Sequence, residues 1–238
     1  MTGSRKTAWG AVATAVVLAV SACSSQDRAT NPEEVRKLAG STEGVQARQN
    51  AESHHRDVAR AYSEQTPLAP GMLVLTDTCF RGKVKQWFDS NGDDSYKLTC
   101  SMRVTVYYGA DPKRIVSVLD GILNAGDRPG SDIPFTHRVE ESFVDRYRHH
   151  TSGLEETEMS TPTQTLSWDP VHGHQSNHLV KEPDACPAND PPVSRCVRSP
   201  ASETVAAIRK RYGMVFKLDL TSPEYYKVSK SGKTYVNY

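Results

Sequence analysis

Tyr96-Lys97-Leu98-Thr99-Cys100-Ser101-Met102-Arg103-Val104-Thr105-Val106-Tyr107-Tyr108 is the stretch on which the fold class turns. Tyr96, Leu98, Cys100, Met102, Val104, Val106 and Tyr108 alternate with Lys97, Thr99, Ser101, Arg103, Thr105 and Tyr107. Successive side chains of a strand point to opposite faces, so this pattern sets one face against a core and turns the other to water. A sheet that is apolar on one side only is the mark of antiparallel pairing.

Working outward, the breaker Pro67-Leu68-Ala69-Pro70 precedes a predicted strand over Met72 to Thr78. A second is expected over Val84 to Phe88, before a turn at Asn91-Gly92. Downstream, Asp111-Pro112 opens a helix with Ile115, Val118, Leu119, Ile122 and Leu123 in one apolar stripe and Gly126 as its C-cap. That helix covers the sheet. A long strand is expected between Phe135 and His149, with Val139, Phe143 and Tyr147 on one face, and another over Thr163 to Trp168. A Pro- and Cys-rich excursion occupies 170–200. Ser202 is expected to cap a short helix ending at Gly213. Strands over Met214 to Leu220, Tyr225 to Val228 and Thr234 to Tyr238 follow, the last two joined by Lys230-Ser231-Gly232-Lys233.

Nearer the N-terminus, Asn31-Pro32-Glu33-Glu34 supplies an N-cap, a proline in the first turn and acids at the positive helix end. The following stretch reads as two helices or a partly solvated stalk, with Ala51, His54 or His55, Val58, Ala61 and Tyr62 as its apolar stripe. The expected organisation is a helical segment at 31–66 and a single α+β domain at 71–238. The fold class is α+β: an antiparallel sheet with helices packed on one face, stabilised by disulfides.

The first residues carry an address. Arg5 and Lys6 precede an apolar run from Ala8 to Val20, too short for a spanning helix and suited to a secretory signal. It ends in Val20-Ser21-Ala22-Cys23, which resembles the lipobox of bacterial lipoproteins. The resemblance covers residues 1–23 only. It implies a signal peptide at 1–22, a diacylglyceryl group on the Cys23 thiol, cleavage before Cys23, and a lipidated N-terminus and tether at 23–30. Two acyl chains make a stable anchor where one is marginal. The implied location is the extracytoplasmic face of the cell membrane.

The whole chain has 29 Lys and Arg against 28 Asp and Glu, which removes a broad electrostatic case for nucleic acid. Removing 1–22 takes two of the basic residues and no acids, leaving one net negative charge. In an oxidising compartment the four cysteines Cys79, Cys100, Cys186 and Cys196 are expected to form two disulfides. Of three connectivities, Cys79 to Cys100 and Cys186 to Cys196 is favoured because each pair brackets a turn-rich segment. No C-x-x-C pair supports a zinc site on these thiols.

Candidate chemistry is sparse. His172-Gly173-His174 and His178, with Asp169, Glu182 and Asp184 nearby, could present a face to Zn²⁺ or Cu²⁺, since i and i+2 share a side in an extended segment. Asp89-Ser90-Asn91-Gly92-Asp93-Asp94 starts like a calcium loop but has Asp94 where glycine is needed and Cys100 where a bidentate Glu is needed, so it reads as an acidic turn. Lys230-Ser231-Gly232 lacks the Ser-x-x-Lys that would make it a penicillin-binding motif, and there is neither a P-loop nor a Gly-x-Ser-x-Gly elbow. Glu140, Glu141, Glu155, Glu156 and Glu158 could supply a glycosidase pair but read as a solvated face. Trp87, Phe88, Trp168, Tyr225, Tyr226, Tyr235 and Tyr238 could line a sugar or peptide groove.

The sequence therefore reads as a membrane-anchored, non-catalytic binding or interaction module without a cofactor, whose partner is an envelope protein, a wall component or a small ligand. The alternative is a metal-binding or metal-dependent surface enzyme using His172, His174 and His178.

Overall fold

The computed structural model describes residues 29–82, 96–149, 157–171, 178–186 and 192–237. The expected signal peptide, Cys23, the strand at Val84 to Phe88, the acidic turn, Glu155, Glu156, His172 and His174 lie outside them. Among the described residues no helix is long and apolar enough to cross a membrane.

The decisive alternation becomes β2, Tyr96–Ala110, the inner strand of an antiparallel sheet. It is flanked by β1, Ala69–Arg81, and by β6, Met214–Ser229. With β3, Glu158–Ser160, β4, Gln164–Trp168, and β5, Val193–Ser199, the order across the sheet is β3-β4-β6-β2-β1-β5. The short β7, Thr234–Val236, pairs with the end of β6 across the predicted turn.

All the described helices but the last gather on the apolar face. Asn31 caps α1, Pro32–Ala39, through its side chain to the Glu34 N–H at 2.8 Å, and Ser41 likewise caps α2, Thr42–Gln65. The segment resolves into two packed helices, and Val35, Ala51, Val58 and Tyr62 enter the same core as Leu98, Val104 and Leu218 of the sheet. Asp111 caps a turn of 3₁₀ helix at Pro112–Arg114 that runs into α3, Ile115–Gly126. Gly126 is the last helical residue and Asp127 takes the cap position. Every apolar residue in the predicted stripe of α3 is buried.

The expected strand over Phe135 to His149 is a helix, α4, His137–His149. Val139, Phe143 and Tyr147 recur every fourth residue, which is a helical period. Phe143 and Tyr147 pack around Trp168, whose Nε1 donates to the Tyr147 hydroxyl at 2.7 Å, while Val139 is exposed.

Three further corrections concern the C-terminal half. Thr204, rather than Ser202, caps α5, Val205–Tyr212, which ends at Gly213 with φ +101°. The strands expected at Met214 and Tyr225 are one strand, continuous through Pro223 because the pairing with β2 is irregular there. A bulge tolerates the missing N–H of proline. The excursion contains a strand of its own, β5, paired along β1. Both expected disulfides are present: Cys79 to Cys100 joins directly paired residues of β1 and β2, and Cys186 to Cys196 ties the excursion to β5.

Candidate functional site: a groove on the open face of the sheet

The second face of the sheet carries what the alternation of β2 turns outward. At one end α5 packs Val205 and Ile208 onto Met72, Val74, Tyr107 and Val215, in a small core separate from the main one. Gly109 permits this approach, since a Cβ there would meet the Tyr212 ring at 2.0 Å. Beyond α5 the face is polar. Strands β1, β2, β4 and β6 contribute Thr76, Thr78, Ser101, Arg103, Thr105, Ser167, Lys217, Asp219 and Thr221 to a groove of about 870 Å³.

Asp219 is the centre of its floor. In register it lies between Thr105 of β2 and Thr165 of β4. Its Oδ1 accepts from the Thr105 hydroxyl at 2.6 Å and from Arg103 Nε at 3.2 Å, and its Oδ2 meets Lys217 Nζ at 2.6 Å. Burial opposes its ionisation, but the hydrogen bonds from Lys217 and Thr105 and the charges of Lys217 and Arg103 outweigh it. The carboxyl is held below its usual range. One buried carboxylate thus fixes two cations from neighbouring strands, and Thr78 and Ser101 share a hydrogen bond of 3.1 Å beside them.

The outer wall is a strap, residues 178–186, pinned at both ends. At the first, Asp169 accepts from the Val180 N–H at 2.8 Å while Arg209 of α5 donates to the Val180 carbonyl at 2.7 Å. Farther along, Glu182 accepts from the Ala206 N–H at 3.0 Å. At the second end Cys186 is bonded to Cys196, itself opposite Thr76 of the floor.

The sequence-derived candidates distribute unevenly. Of the metal cluster, His178 lines the groove, Glu182 is engaged with α5 and Asp169 is a buried clamp. Among the described residues no group of three or more His, Cys, Asp or Glu is placed to hold a metal ion. Glu158 faces the groove from β3, whereas Glu140 and Glu141 lie on α4 across the sheet, so these carboxylates do not form a pair. Trp168, Tyr225 and Tyr226 are at most 1% exposed, and Tyr235 lies apart on β7, so these rings do not line a groove together.

The buried polar network of the opposite face is structural. Tyr225 Oη donates to Asp77 Oδ1 at 2.7 Å and Arg48 Nε to Asp77 Oδ2 at 2.7 Å, beneath α2. His55, also buried, meets the Ser222 hydroxyl at 3.1 Å. Burial and the nearby His54 push its imidazole down to about 4, so it is neutral.

Arg103, Lys217 and Asp219 were not singled out by the sequence, although the signal is present: Lys217 and Asp219 interrupt the apolar Phe216, Leu218 and Leu220 with period two. No family model, curated protein or solved structure matches the chain. The fold and groove together define an α+β module with a strapped polar cleft on its open sheet face.

Proposed function

We propose that the chain is an extracytoplasmic lipoprotein, anchored through a diacylglyceryl group on Cys23, that binds a small polar ligand in the strapped groove and does no chemistry on it. The location rests on Val20-Ser21-Ala22-Cys23 and the charged, apolar run before it. The binding role rests on one observation: a cleft of ligand size whose central carboxylate is committed to holding two cations in place. A carboxylate so engaged is a poor general base, because its lone pairs are taken and its pKa is low.

The test is thermal unfolding of the purified full chain with a panel of sugars, sugar acids, amino acids and short peptides, repeated on Ser101→Trp, which fills the floor. A ligand raises stability by mass action. The expected result is a rise for at least one member, lost in Ser101→Trp. A rise that survives the filled groove, or none with any member, overturns the binding role.

A further inference from the structure

We infer that the ligand of the groove is a polyhydroxyl carboxylate, a sugar acid either free or within an acidic polysaccharide, held by Arg103 and Lys217 with Asp219 as their positioning residue. This rests on the binding role proposed above and narrows it to a chemical class.

Three observations carry it. First, the floor presents six hydroxyls, those of Thr76, Thr78, Ser101, Thr105, Ser167 and Thr221. A hydroxyl both donates and accepts, so such a floor matches a ligand whose own groups do both. Second, the centre of the floor carries unbalanced positive charge, because two cations share the single carboxylate of Asp219. Arg103 meets Asp219 through Nε and its side chain is 60% exposed, which leaves the η nitrogens outside that bond as a two-pronged donor. A planar guanidinium fork matches a carboxylate in two parallel hydrogen bonds. Third, the groove offers no exposed ring for stacking: Tyr107 and Trp168, its aromatic lining residues, are 2% and 1% exposed.

The rim is predominantly acidic. Lys181 stands on the strap among Glu182 and Asp184, and Glu158 faces it from β3. Glu182 is already bound to Ala206 and Arg198. Selection of an anionic ligand thus rests on short-range contacts at the floor, where Asp219 holds Arg103 and Lys217 before the ligand arrives. Preorganised charges cost no rearrangement on binding.

The experiment is calorimetric titration of the full chain with gluconate, with trigalacturonate and with neutral maltotriose, repeated on Arg103→Gln. The variant alters an exposed side chain, and its unfolding midpoint serves as the folding control. The expected result is binding of one or both acids, at least tenfold weaker binding of maltotriose, and a loss of about tenfold or more in Arg103→Gln, as for a charged hydrogen bond. Gluconate binding alone assigns a free sugar acid; trigalacturonate binding alone assigns a polymer. Equal binding of maltotriose, no effect of Arg103→Gln, or binding of neither acid overturns the inference. If neither acid binds but a peptide or amino acid gives a rise that Ser101→Trp abolishes, the groove stands as a binding site and only its chemical class is wrong.

Discussion

Arg209 holds Asp169 from two sides, donating from Nε to Oδ2 at 2.8 Å and from Nη2 to Oδ1 at 2.9 Å. The same carboxylate accepts the backbone N–H groups of Val180 and Val215 at 2.8 and 2.9 Å. Strap, α5 and β6 therefore meet on one side chain that is only 4% exposed. Four donors compensate the loss of water around the charge.

Replacing Asp169 by alanine leaves the Arg209 guanidinium with only the Val180 carbonyl and strands two N–H groups. We expect a loss of about 3–5 kcal/mol in chemical denaturation, the range for breaking a buried pair. Amide exchange should also quicken along 178–186. Stability within about 1 kcal/mol of the parent, with unchanged protection of the strap, would show that the clamp is dispensable.

His55 makes stability depend on pH. Its folded value is lowered to about 4 from an ordinary 6.5, so the unfolded chain binds the proton first as pH falls. The contribution is complete above about 6.5 and is lost progressively between there and about 4, reaching about 3 kcal/mol if the full shift is expressed. In urea melts across this window the stability of the parent should fall more steeply with decreasing pH than that of His55→Gln, which lacks the titrating ring. Parallel curves would mean that His55 is free to protonate in the native state.

The disulfides differ in access. Cys79 and Cys100 are 0% and 1% exposed, whereas Cys186 is exposed and Cys196 half-buried. Native protein treated with a mild thiol reductant and then alkylated should be labelled at Cys186 and Cys196 first, with Cys79 and Cys100 labelled only on unfolding. Replacing Cys79 and Cys100 together by alanine should cost about 3 kcal/mol for a loop of this length. Early labelling of Cys79 would contradict the buried cross-strand bond.

For the anchor, Cys23→Ala should abolish acyl labelling in cells and release or mis-sort the protein. Persistent labelling of that variant would refute lipidation at this position.

Much of the scaffold was legible because β2, α3 and the Asn31 cap each obey one period or one capping rule without interruption. Where two signals competed, the reading failed. Val139, Phe143 and Tyr147 belong to residue types favoured in strands, yet their spacing is that of a helix, and spacing prevailed. Pro223 looked like the end of a strand, but a local irregularity in pairing with β2 absorbs it. The β5 strand was hidden because Val193, Cys196 and Val197 are only half-buried at the sheet edge, so its alternation is weak. The groove was legible only as the wet side of β2. Lys217 and Asp219 share a face by local alternation, but that Arg103 joins them depends on register between strands more than a hundred residues apart, which no local pattern encodes.

The position of β6 has a consequence for how the molecule comes into being. This strand lies between β2 and β4, near the middle of the sheet, although it follows its partner β2 by more than a hundred residues. The β1–β2 pair can zip locally, but the main core cannot close until Phe216, Leu218 and Leu220 arrive. Contacts so distant in sequence make for slow, late-committing assembly. During synthesis from the N-terminus, neither the cleft nor the main core can be completed before β6 has emerged.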